Sequence, residues 1–191
     1  MSGARIAKPA ATVILLRQAE AKGFEVFLTR RPDGMPFLGG MYCYPGGTVT
    51  KDDVTQQMID RCIGLTPKQG QKILGAHYSP SEAIGFWIAG VREVFEEVGV
   101  LLAVEESGVK LDNQRAARLA DKHTALLNKS MNFRELLESE KLVCNLASLA
   151  HFSYWQTPSQ VRLRFATRFF IAPLPEGQTP LATSYEVTHS V

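Results

Sequence analysis

Apolar and polar positions along this chain change period several times, and each change marks an element. Two apolar-rich runs, 11–17 and 24–31, flank Glu20-Ala21-Lys22-Gly23 and predict two strands joined as a hairpin. The first nine residues, 1–9, read as a polar tail. Gly and Pro dominate 32–40, which predicts a loop, and a short third strand is expected at 41–44, ended by the turn Pro45-Gly46-Gly47. From 52 to about 78 the period becomes helical, with a weak stripe of Val54, Met58, Ile59 and Cys62. Ser79-Pro80-Ser81-Glu82 is a strong helix start, with Ser79 as N-cap, Pro80 in the first turn and Glu82 placed for a capping box. Ile84, Trp87, Ile88, Val91, Val94, Phe95 and Val98 follow at helical spacing as core positions, and Gly99 fits the stop. Further helices are predicted at 114–128 and 132–140, and strands at 150–155, 163–172 and 185–191. There is no internal repeat and no low-complexity segment.

Composition narrows the class without naming a function. With 191 residues, 45% hydrophobic and 21% charged, the chain fits one globular domain carrying an insertion. A net charge of +2 is too small to point to nucleic acid or a membrane as the main partner. No apolar run approaches the roughly 18 residues of a membrane span. The run at 11–16 is too short for a signal-peptide core, and Arg17 follows it at once. Cys43, Cys62 and Cys144 are widely spaced and form no CxxC pair, which argues against a disulfide framework or a zinc site and suits a reducing compartment, the cytoplasm being the expectation. Function must come from a local site.

The informative stretch is Arg92-Glu93-Val94-Phe95-Glu96-Glu97-Val98-Gly99-Val100. On a helix, Glu93, Glu96 and Glu97 fall within an arc of about 100°, opposite the apolar stripe. Three carboxylates so placed repel one another unless cations neutralise them, and hard oxygen donors on one rigid face suit Mg²⁺ or Mn²⁺. The plainer alternative is a solvated acidic face with Arg92 in a surface pair with Glu96. A second element adds weight. Pro45-Gly46-Gly47 permits close backbone approach, and an acid, Asp53, follows Gly47 after five residues.

Together these motifs resemble a split Nudix box: Gly, five residues, an acid, then Arg-Glu-apolar-x-Glu-Glu-x-Gly-apolar. The gap between Asp53 and Arg92 is far longer than in the family, which implies an insertion, expected to be helical over about 54–78 and packed beside the pocket. Asp53 stands for the family's Glu. Upstream, Phe27-Leu28-Thr29-Arg30-Arg31, Gly40 and Tyr44-Pro45-Gly46-Gly47 match the spacing of the signature of Nudix coenzyme A diphosphatases, with Pro36 in place of an Arg, Pro32 of a small residue and Tyr44 of Phe. Trp155-Gln156-Thr157-Pro158 and the run from Arg164 to Phe170, with Ala166 for the usual Asp, resemble the long-insertion, peroxisomal-type members.

The resemblance implies a Nudix α/β/α sandwich with a mixed central sheet and a helical insertion inside the box. It implies metal-dependent hydrolysis of CoA or acyl-CoA to 3′,5′-ADP and 4′-phosphopantetheine or its acyl form. The alternatives are another nucleoside diphosphate derivative (an ADP-sugar, a dinucleotide or a nucleoside triphosphate) or a non-catalytic nucleotide-binding module. Glu96 and Glu97 are implied as the main ligands of Mg²⁺ or Mn²⁺, joined by the carbonyl of Gly46, with Glu93 as a third ligand or the general base. Arg92 orients a carboxylate, and Arg30, Arg31, Gly40 and Gly47 are substrate-binding candidates. Arg164 and Arg168 are structural candidates, and His77, His123, His151 and His189 read as surface or satisfied core residues. The expected partner is a small molecule, neither nucleic acid nor membrane, with a homodimer left open. The family fold ends in a helix after its last strand, whereas this chain stops at His189-Ser190-Val191, so a C-terminally longer gene product is expected, with a peroxisomal address in its missing part if one exists.

Overall fold

The computed structural model describes residues 6–35, 39–181 and 189–190. Its first half contains β1 (Lys8–Gln18), β2 (Phe24–Val26), β3 (Thr29–Arg30), β4 (Tyr42–Cys43), β5 (Gly46–Thr48), α1 (Gln56–Ile59), β6 (Cys62–Ile63), α2 (Pro67–Leu74) and α3 (Pro80–Val98), with a single 3-10 turn at Asp52–Val54. There follow β7 (Ala103–Glu105), α4 (Asn113–Asp121), α5 (His123–Leu127), α6 (Phe133–Ser139), β8 (Leu142–Asn145), β9 (Ala150–Gln156), β10 (Phe165–Pro173) and β11 (His189–Ser190).

β1 is the axis of the molecule. It runs parallel to β10 along one edge, and along the other it pairs antiparallel with β5 at one end and with β2 at the other. β9 closes the far side of β10 antiparallel, giving a mixed sheet. Alternation turns Ala11, Val13 and Leu15 inward, where all three are fully buried. They meet α3, whose Ile84, Trp87, Ile88, Val91, Val94, Phe95 and Val98 are buried as their spacing predicts. Ser79 and Glu82 form the capping box, and Gly99 ends α3 in the left-handed conformation at φ 71°. This places a mixed sheet under the long box helix, the architecture the resemblance implies.

Several expected boundaries move. Lys8 and Pro9 of the supposed tail, together with Ala10, extend β1, because they find ladder partners in Phe165, Ala166 and Thr167. The run at 24–31 is two strands of different sheets: β2 pairs β1, whereas β3 pairs β4 and β11. Gly46 and Gly47 do not close a turn; with Thr48 they form β5, lying against Thr12, Ala11 and Ala10. The insertion is not helical throughout. It contains β6, which pairs parallel to β8 and brings Cys62 beside Cys144, both free thiols. The run at 114–128 is two helices, α4 and α5, broken at Lys122. β7 and β8, which complete that third sheet, were not expected, since the apolar run from Val100 to Val104 has no alternation. Pro36 and 182–188 lie outside the described residues.

Candidate active site

The β1–β5 ladder sets the geometry. Val13 and Val49 donate to Pro45 and Pro9, so the pairs of Thr12 with Gly46 and Ala10 with Thr48 are the wide, non-bonded ones. The backbone polar groups of Gly46 and Thr48 therefore point away from β1, towards α3. There the Gly46 N–H donates to Glu97 Oε2 at 2.9 Å, and the Thr48 carbonyl accepts from Arg92 Nη2 at 2.9 Å. Gly47 lies between them, and a Cβ on it would stand 2.4 Å from the Glu93 carboxyl. Only glycine lets that carboxylate sit so close to the strand.

Arg92 is 9% exposed and uses all five of its N–H groups. Nε and Nη2 donate to the two oxygens of Asp53 at 2.9 and 3.0 Å. Nη1 donates to Glu93 and Glu96, both at 2.8 Å, and Nη2 completes the set at Thr48. Asp53, 1% exposed, also accepts from the Thr50 N–H at 2.7 Å and the Thr50 hydroxyl at 2.9 Å. The surface-pair alternative fails: Arg92 is buried, and one guanidinium holds three carboxylates. Burial works against the Arg92 charge, but Asp53, Glu93 and Glu96 outweigh it and hold the group protonated. Burial pushes Glu93 up to about 7 against the pull of Arg92, and raises Glu96 for the same reason. Among the described residues, Asp53, Glu93 and Glu96 share the one guanidinium of Arg92, and Glu97 stands beside the latter two on the same helix face.

A cavity of about 920 Å³ opens beside this cluster. Asp53, Arg92 and Glu96 line one side, Thr55, Gln57 and Met58 of the insertion another, and the α5–α6 connection with the start of α6 (Lys129, Asn132 and Arg134) the third. His123, buried on α5, hydrogen-bonds the Glu96 carbonyl and stands edge-on to Phe95, fixing that wall to α3.

A family model of the NUDT19 Nudix domain matches residues 5–190. The chain belongs to that family. An acyl-coenzyme A diphosphatase NUDT19 of Xenopus laevis is 27% identical to this NUDT19-type Nudix domain over 202 residues, covering 90% of the chain. The chain spans about half, 53%, of that relative's length. Among solved structures, a NUDIX hydrolase from Alicyclobacillus acidocaldarius shares the fold at TM-score 0.71, with 24% identity, covering 97% of this chain and 78% of its own. A MutT/nudix family protein from Enterococcus faecalis matches at TM-score 0.50 and 13% identity, covering 100% of this chain and 45% of its own.

Nudix hydrolases in general work with divalent metal ions, and the donor set here suits one: hard carboxylate oxygens in negative excess on one rigid face. Among the described residues the side chains do not converge as a ready cage of three, because Glu93 and Glu96 face Arg92 while Glu97 faces Gly46. Of the upstream candidates, Arg30 is paired with Asp33 at 2.6 Å, and Gly40, at φ 74°, leaves room for that pair. Arg31 carries a buried Nε with no hydrogen-bond partner. None of the three lines the cavity. Arg164 Nε donates to the Thr157 carbonyl at 3.1 Å, and Arg168 is buried with its guanidinium over Tyr154 at 4.3 Å. His151 corrects the reading of satisfied histidines, because its Nε2 is buried without a partner. Thr48, Thr50, Lys129 and Arg134 were missed. A backbone carbonyl has no sequence signature, and the two cations lie far from the box, Lys129 on the turn after α5 and Arg134 in the first turn of α6.

Proposed function

We propose that this Nudix domain hydrolyses the diphosphate bond of CoA or acyl-CoA, yielding 3′,5′-ADP and 4′-phosphopantetheine or its acyl form. The observation that carries the reading is the half-buried carboxylate cluster of α3, organised by Arg92 against Gly46 and Gly47, with Glu96 at the edge of a cavity large enough for a nucleotide; Glu93, Glu97, Gly46 and Gly47 lie behind it. The CoA assignment is supported by the named activity of the Xenopus relative. In this reading residues 1–191 are a single Nudix domain, with the insertion at about 54–78 packed beside the pocket. Glu96, Glu97, the Gly46 carbonyl and Glu93 hold Mg²⁺ or Mn²⁺, which when bound neutralises the diphosphate and acidifies the attacking water. Glu93 serves as third ligand or takes the proton from that water. Arg92 and Asp53 fix the carboxylates in place, and three free cysteines fit a reducing compartment such as the cytoplasm or a peroxisome.

A second reading, another nucleoside diphosphate derivative, is favoured by one observation: Arg30, Arg31 and Gly40 of the CoA signature do not line the cavity. A product-release panel separates the two. CoA, acyl-CoAs, dephospho-CoA, ADP-ribose, NADH and nucleoside triphosphates are offered with Mg²⁺ and with Mn²⁺, to the parent and to Glu97→Gln. The CoA reading expects preferential turnover of CoA or acyl-CoA, abolished by EDTA and lowered by several orders of magnitude in the variant. Preference for a substrate outside the CoA series would leave only the second reading, and full activity in EDTA would sink both.

A further inference from the structure

The turn that joins α5 to α6 carries a cation in an unusual seat. Ser130 N–H donates to the Ala125 carbonyl and Lys129 N–H to the Leu126 carbonyl, both at 3.0 Å, and the Ser130 hydroxyl adds a bond to Ala125 at 3.0 Å. These bonds end α5 in a Schellman motif, whose left-handed position is normally glycine. Here it is Lys129, at φ 55°, a conformation that a residue with a Cβ disfavours. Lys129 lines the same cavity as Arg92 and Glu96, and among the described residues no carboxylate forms an ion pair with it. Arg134, on the same wall, is already paired with Glu138 at 2.5 Å. Conformation alone does not make a site, since Lys141 has φ 54° after α6 and lines neither this cavity nor a second one bounded by Leu101, Val104 and Leu174. What separates Lys129 is the cavity and the absence of a counter-ion.

We propose that Lys129 is a substrate-binding residue, its ammonium holding the diphosphate of the nucleotide substrate on the wall opposite Glu96. The inference rests on the diphosphatase reading above and assigns the anchor of the phosphate chain within it. A long flexible ammonium suits this task, because it follows an anion as a point charge without demanding planar geometry. A diphosphate keeps negative charge beyond what a metal on the carboxylate side offsets, and a cation elsewhere on the cavity wall can hold that remainder.

Lys129→Gly removes the charge and relieves the backbone at once, which makes the two effects separable. The variant is expected to melt at or above the parent temperature while binding α,β-methylene-ADP about fivefold more weakly by calorimetry, the worth of one partly exposed charged contact. KM for CoA and for dephospho-CoA should rise by a similar factor, with kcat within about twofold. Lys129→Arg should keep most of the affinity. Lys141→Gly, which relieves the same conformation away from the cavity, should leave affinity and KM unchanged. Unchanged analogue affinity in Lys129→Gly overturns the proposal, as does a KM effect confined to CoA, which would make Lys129 a reader of the 3′-phosphate. If the parent turns over no diphosphate, the functional reading fails by itself, and the analogue titration still decides Lys129.

Discussion

Replacing Asp53 by Asn changes one oxygen to an amide nitrogen and tests the whole arrangement around Arg92. Asp53 accepts four hydrogen bonds, two from Arg92 and two from Thr50. Whichever way the amide turns, its NH₂ faces a donor: Arg92 Nε on one side, Thr50 and Arg92 Nη2 on the other. Removing one partner of a buried pair costs about 3–5 kcal/mol. Arg92 keeps Glu93 and Glu96 as counter-charges, so the lower end, about 3 kcal/mol, is expected. In a domain of this size that is a fall in Tm of roughly 6–12 °C. The measurement is thermal and urea unfolding in EDTA, where bound metal cannot mask the loss. A double-mutant cycle with Arg92→Met should return a coupling of about 2 kcal/mol or more. A fall under about 3 °C, or additive effects in the cycle, would refute the claim that this pair is the buried keystone of the site.

Gly47→Ala should displace the Glu93 carboxyl, 2.4 Å from the new methyl, and lower kcat at least tenfold with a smaller loss of Tm; parent-like kinetics would contradict the seat assigned to Glu93. Two glycine substitutions should have opposite signs. Gly70→Ala meets nothing nearer than 3.5 Å and should be neutral or stabilising by up to about 1 kcal/mol, whereas Gly85→Ala meets the stiff Val54 side chain at 2.6 Å and should destabilise by about 1–3 kcal/mol, as urea midpoints would show. His151 supplies a pH signature. Burial, then the nearby Arg168, lowers its pKa below 6.5, so the unfolded chain binds the proton more readily and this contribution to stability is lost as pH falls through that region. Trp87 of α3 and Phe170 of β10 flank the ring, so His151→Phe should keep the packing and remove the titration. The parent should lose more stability than the variant between pH 7 and 5, and parallel curves would refute it.

The box helix was legible because every level of its sequence agrees: Ser79 caps it, the apolar period runs its length, and Gly99 stops it. The carboxylates were legible with it, since they lie within one turn and a half. The sheet of β6, β7 and β8 was not, because Cys62 and Ile63 are a strand only by virtue of partners some eighty residues away. Asp53 and Arg92 could be matched as a motif, but their contact spans the insertion, and only folding shows that Asp53 serves Arg92. Gly46 was read as a turn because Pro-Gly-Gly so often is one, and the ladder with Thr12 overrides that local preference. The α5–α6 wall of the cavity gave no signal at all, since Lys129, on the turn, and Arg134, at the start of α6, are ordinary charged residues until the fold places them.

The parallel join of β1 to β10 has a consequence for the chain as it is being made. β1 leaves the ribosome early, but the strand that covers its longer edge follows about 150 residues later, an interval on the order of 10–30 s at ordinary translation speeds. Throughout that time Val13, Ile14, Leu15 and Leu16 form an apolar β segment with open backbone groups, the kind of edge that neighbouring nascent chains can pair with. The hairpin to β2 can form at once and protects only the far end of the other edge. Conditions that slow elongation after residue 20 should therefore lower soluble yield, even though the finished protein is the same.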